Sequence, residues 1–146
     1  MGDIPNAHVR DFQRQRVYNA EEQCNFWQDG LRNPPLGGDE VEALVAKIAL
    51  WASIKQPNIL YEAPSKIPIA YATHDSVVLP FDRASSLPYI CHEMAHCINY
   101  NSDNADHHGR HFSLTYLNLV KQFISRTASV ELRKAFRNNR VKYAKA

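Results

Sequence analysis

Residues 92–96 read His92-Glu93-Met94-Ala95-His96, and His108-Gly109 follows twelve residues after the second of these His. No other feature restricts the fold as strongly, because the pattern requires a helix with one face free of core contacts. Two His four apart on a helix project from the same face and can grip one cation. The Glu between them can reach a water on that cation. A third His would complete three protein ligands and leave one coordination position open, as in hydrolytic zinc sites.

Three fixed positions make a short motif, so context has to support it. Ser85 and Ser86 offer N-caps, and Pro88 suits a first helical turn. Leu87, Cys91, Met94 and Ile98 recur at three- and four-residue spacing, with Ile90 beside them. At about 100° per residue, Leu87, Ile90, Met94 and Ile98 share one side, and His92 and His96 lie nearly opposite. Asn99, Asn101 and Ser102 mark the stop. The competing reading places both His on the solvated face of an ordinary amphipathic helix. It leaves unexplained why three more His arrive together at 107, 108 and 111.

Candidates for the third ligand are Asp103, Asp106, His107, His108 and His111. Gly109 lets the backbone pass closely after His108, and an amphipathic helix follows, with Phe112, Tyr116, Leu119 or Val120, and Phe123 on its apolar side. His108 at the entrance of that helix is the choice, with His107 the runner-up. His111, one turn inside, is a candidate for polarising substrate or supporting a ligand.

The constellation His92-Glu93-Met94-Ala95-His96 with His108-Gly109-Arg110-His111-Phe112 resembles the signature of SprT/Spartan-like zinc metalloproteases. It is similar also to small metallohydrolases of bacteria and bacteriophages. Asp11 to Tyr18 looks like that group's N-terminal helix. Tyr61-Glu62-Ala63-Pro64 and Ile67 to Tyr71 look like its strands before the metal helix. The likeness spans most of residues 10–140 and is specific around the His. It implies a zincin-like fold, one catalytic Zn2+ on His92, His96 and His108, Glu93 as the catalytic Glu, and a protein or peptide substrate. Arg110 and His111 depart from the Pro and acid usual after the third ligand's Gly. No C-x-x-C pair provides the zinc ribbon of many relatives.

The 146 residues suit a single domain over 1–146, and a hydrophobic fraction of 45% is that of a soluble globular protein. No run is long enough to span a membrane, and no secretory signal is visible. Three Cys, an odd number, argue for buried free thiols and a reducing cytoplasm.

A net charge of +2 conceals an asymmetry. Residues 1–106 carry 8 Lys/Arg against 14 Asp/Glu, and residues 107–146 carry 9 against one, Glu131. Arg133, Lys134 and Arg137 lead a basic C-terminal helix at about 129–146, capped by Ser129. Such a patch suits nucleic-acid phosphates, a solvated helix face, or a dock for the acidic half.

Helical spacing runs from about His8 to Gly30 through Val17, Ala20, Cys24, Trp27 and Leu31. Asn33-Pro34-Pro35 and Gly37-Gly38 break it, and Asp39 is expected to cap a second helix that ends before Pro57. Extended segments follow at 59–61, 67–73 and 77–79, with a turn at His74-Asp75-Ser76. The order predicts an α+β domain, a small β-sheet packed against helices including the central metal helix. Residues 67–80 are expected to supply an edge strand for an extended peptide. From it Tyr71 and His74 would reach the cleft to stabilise an oxyanion, unless Tyr71 is sheet packing.

Two function classes emerge. One is a zinc-dependent hydrolase, a peptidase working through Glu93. The other is a zinc-stabilised binding module, DNA-associated through its basic end, with His107, Asp106 or Asp103 closing the site as a fourth ligand.

Overall fold

The computed structural model describes residues 11–62, 70–80 and 86–145. Among these lie helices α1 (Arg14–Glu22), α2 (Asn25–Arg32) and α3 (Gly38–Ala52), then strands β1 (Asn58–Glu62), β2 (Tyr71–Ala72) and β3 (Ser76–Pro80). Helices α4 (Leu87–Tyr100), α5 (Arg110–Phe123) and α6 (Arg126–Asn138) complete the order. The architecture is α+β, with a three-stranded mixed sheet against helices.

The single N-terminal helix expected to reach Gly30 is two helices. The amides of Gln23 and Cys24 turn back to the carbonyls of Ala20 and Glu21, and Cys24 is extended before α2 begins. The start of α2 is then capped from a distance, by the Glu131 carboxylate accepting from the Phe26 amide at 3.1 Å. The apolar spacing holds across the break as far as Trp27, because Val17, Ala20, Cys24 and Trp27 are all buried, whereas Leu31, the last of the expected stripe, is exposed. The expected start at His8 and the Ser85 cap lie outside the described residues, as do Ala63, Pro64 and residues 67–69.

Gly37, not Asp39, caps α3, and the Glu40 carboxylate accepts from the Gly37 amide at 3.0 Å. Asp39 instead lies in the first turn, where the helix dipole favours an acid. The helix stops at Ala52, where Ser53 turns left-handed (φ 57°), well before Pro57.

Strand order is β1-β3-β2. β1 runs parallel to β3 from Asn58 opposite Ser76 to Glu62 opposite Pro80. β2 is antiparallel, with Tyr71 opposite Val78 and Ala72 opposite Val77. The expected turn at 74–76 closes a hairpin, with the Thr73 amide donating to the Ser76 carbonyl. Val77, Val78, Leu79 and Pro80 are all buried, as suits a strand flanked on both sides. Of the stretch expected to supply an edge, β3 is therefore central, and β2 is the edge among the described residues.

α4 runs through the middle, packed against α2, α3, α5, β2 and β3. Gly30 permits the close approach of α2, since a Cβ there would stand 2.1 Å from the Pro88 ring. Ser86 is the N-cap residue, although its hydroxyl makes no cap bond.

α6 starts earlier than expected. Ser125 caps it by accepting from the Ala128 amide at 2.9 Å, and Ser129 is buried inside, donating to the Leu117 carbonyl. The helix ends at Asn138, so residues 141–145 are not helical. This tail packs back on the domain, where the Lys142 amide donates to Gln13 Oε1 before α1 and the Ala144 amide to the Arg110 carbonyl at the start of α5.

Candidate metal centre

α4 delivers His92, Glu93 and His96 on consecutive turns, all buried. Its end and the following loop deliver His108. Asn99, itself buried, accepts from the Asp106 amide and donates to the Asn104 carbonyl, which folds residues 101–108 back over the helix. Asn101 donates to the carbonyls of Cys97 and His74. Asp106 accepts from the amides of His111 and Phe112 and so starts α5. Gly109 is needed here, but for a different reason from the one expected. Its φ of −77° is ordinary, and a Cβ would collide with the Asp106 carboxylate at 2.6 Å.

The three imidazoles form one buried cluster whose ligand atoms all lie within 4.8 Å of one another, a geometry that could hold a metal ion. His96 Nε2 and His108 Nε2 are 3.1 Å apart. Tetrahedral bonds of about 2.0–2.1 Å from imidazole nitrogen to zinc require ligand atoms about 3.3 Å apart, so the spacing fits.

The second layer points the same way. Glu21 Oε2 lies 2.5 Å from His92 Nδ1 and accepts from the Tyr116 hydroxyl at 2.7 Å. Asp11 Oδ2 lies 2.8 Å from His108 Nδ1. A carboxylate only accepts, so both Nδ1 atoms carry the proton and both Nε2 lone pairs turn inward. That is the usual way a carboxylate orients a metal-ligating His. Gln13 braces the same loop by donating to the His108 carbonyl. His96 differs, because its buried Nδ1 has no partner and its ring is held by stacking on Phe112 at 4.2 Å. Without a cation, the short contact to His108 calls for a proton on His96 Nε2. Holding a metal there shifts that proton to Nδ1.

Protonation follows the surroundings. Burial drives the pKa of His96 far down, with the neighbouring imidazoles adding to it. Burial also lowers His108, against the pull of Asp11. Burial disfavours charge on His92 too, but Glu21 outweighs it and raises its pKa to about 9. A metal would take the place of that proton. Burial raises Glu93 to about 7, with His92 opposing and Glu21 assisting.

The cluster opens into a cleft of about 250 Å³ that Glu93 also lines, with Tyr18, Tyr71, Tyr100 and His107 on its walls. Tyr71 is half-buried there. His107 adopts a left-handed conformation (φ 55°), and its Nδ1 is 3.2 Å from the Tyr100 hydroxyl. His74 and His111 are exposed and do not line the cleft; the His74 carbonyl accepts from Asn101 and its Nε2 lies 3.8 Å from the Asp75 carboxylate. Asp103 is exposed as well. Arg133, Lys134 and Arg137 lie on the solvent face of α6, away from the cleft walls.

Sequence reasoning missed Glu21, Asp11, Gln13 and Tyr100. Glu21 left one trace, an acid on the apolar stripe between Val17 and Cys24. Tyr100 left another, since it continues the spacing of His92 and His96 by one more turn. Asp11 and Gln13 left none. All three Cys are buried free thiols. No helix among the described residues is long and apolar enough to cross a membrane. The chain matches no protein-family model, no curated protein and no solved structure.

Proposed function

We propose that this chain is a zinc-dependent peptidase of the SprT/Spartan-like, zincin type, working as one domain in the cytoplasm, with His92, His96 and His108 as ligands and Glu93 as the proton carrier. The observation that carries this reading is the trio of inward-facing imidazoles, two of them braced by carboxylates, with Glu93 on the same helix lining the same cleft. A bound zinc ion supplies Lewis acidity, polarising a carbonyl and bringing the pKa of water down towards about 7.

The chain's own residues do the rest. Glu93, held up to about 7 by burial, is balanced to take a proton from water near neutral pH and return it to the leaving amine. The edge of β2 beside the cleft offers main-chain groups to an extended peptide. Among the sequence-derived oxyanion candidates, Tyr71 has the supporting position, since it lines the cleft and His74 and His111 do not. A non-catalytic module needs a fourth side chain to close the site. Of the three candidates, Asp106 is committed to the start of α5 and Asp103 faces solvent, while His107 lines the cleft with its Nδ1 3.2 Å from the Tyr100 hydroxyl.

The test is Glu93→Gln. It retains the metal and lowers peptide hydrolysis by about 10²–10⁴-fold, the usual contribution of a positioned acid-base group. Equal hydrolysis by both proteins would remove Glu93 from the mechanism.

A further inference from the structure

A second cavity, about 270 Å³, adjoins the metal cleft on the side of α1 and α2. The two share Tyr18, Ala70, His92 and Glu93, so whatever fills the second cavity lies beside the reacting group. Its distinctive walls are Trp27 of α2 and Tyr89 of α4, whose rings are 4.8 Å apart and tilted by 48°. Gln15 and Glu22 of α1 also line it, and both are exposed.

Size, wall and charge each narrow the occupant. The volume falls below the ~300–1,000 Å³ of sites for drug-sized molecules, which suits one amino-acid side chain. Aromatic faces are electron-rich and attract ammonium and guanidinium groups. Among the described residues no Lys or Arg lines the cavity, whereas Glu21, Glu22 and Glu93 do. Glu21 is committed to His92 and Tyr116. The Glu22 carboxylate makes no ion pair among the described residues. Arg14 packs over Tyr18 but lines the metal cleft, not this cavity.

We propose that this cavity is the specificity pocket of the cleft and takes a lysine or arginine side chain of the peptide. The apolar stem lies against Trp27 and Tyr89, and the cationic head meets Glu22. A purely apolar side chain would fill the same walls and leave Glu22 without a counter-charge. The proposal rests on the peptidase reading for its substrate but not for its test.

The two tryptophans are Trp27 and Trp51. In a Glu93→Gln, Trp51→Phe chain, Trp27 fluorescence therefore reports on this pocket without turnover. Peptides identical except for Arg, Leu or Glu at one scanned position are titrated into it, and the same set is offered to the wild-type enzyme for cleavage. Arg is expected to bind about tenfold more tightly than Leu at one position, with Glu weakest. Glu22→Gln, at an exposed site that leaves the fold intact, is expected to remove most of that preference. Equal binding of Arg and Leu peptides, no binding at all, or a preference that survives Glu22→Gln overturns the pocket. Selective binding without cleavage overturns the peptidase reading and keeps the pocket. Cleavage without selectivity does the reverse.

Discussion

α4 and α6 are helices of similar length and opposite character. α4 is buried nearly all round, and carboxylates brace the site on it, Glu21 for His92 and Asp11 for the facing His108, while the Nδ1 of His96 has no partner. α6 buries only Ala128, Ser129, Leu132, Ala135 and Phe136, and turns Arg133, Lys134 and Arg137 to solvent. A buried polar group without a partner costs free energy, so each one kept in place carries information about function. An exposed charge bears no such constraint. The six His, Glu and Asp side chains at the α4 site are therefore expected to respond far more to substitution than the basic face of α6.

The largest effect expected is from Glu21→Ala. It strands His92 Nδ1 and the Tyr116 hydroxyl, and breaking a buried charged partnership costs about 3–5 kcal/mol. Urea denaturation measures this, and a loss below about 1 kcal/mol would place Glu21 among ordinary surface acids. Asp11→Asn acts on the rim, where the aspartate is only partly buried. It should lower metal affinity about 10–100-fold with little change in stability, as read by competition with a chelator.

Thiols give a pH test. Burial pushes Cys24 and Cys97 up to about 12, whereas the unfolded chain ionises its thiols near about 8.5. The unfolded state thus loses protons first, and stability falls as pH rises above about 8.5. Tm should drop by about a few degrees between pH ~7 and ~10, and by less in a Cys24→Ala, Cys97→Ala chain. Ser125→Ala removes the α6 cap at a cost of about 1 kcal/mol, whereas Ser129→Ala acts through its bond to Leu117 and not through a cap. Smallest is the basic face, where Arg133→Ala or Arg137→Ala should move stability by no more than about 0.5 kcal/mol. A larger change would show that α6 is tied down more firmly than its exposure indicates.

The same contrast explains what could be read from the sequence. His92, Glu93 and His96 are local, fixed by helical spacing within one segment, and His108 by the helix that follows it. Helix existence and the buried stripes of α4 and α5 were legible for the same reason. The supports were not. Glu21 is 71 residues from His92 and Asp11 is 97 from His108. The break after α1 was hidden because apolar spacing continues through it, and the cap of α2 comes from Glu131, 105 residues away. Ser125 and Ser129 both precede helical sequence, and only packing against Leu117 decides between them. The edge position of β2 likewise depends on β1 pairing across from β3, a choice no local pattern records.

The most direct measurement is metal content per chain in wild type and in His92→Ala, His96→Ala and His108→Ala, purified identically and verified as folded. One zinc per wild-type chain, with loss in each variant, is the expected result. Wild-type protein without a stoichiometric ion, or zinc retained by folded chains lacking one of these imidazoles, would contradict the assignment.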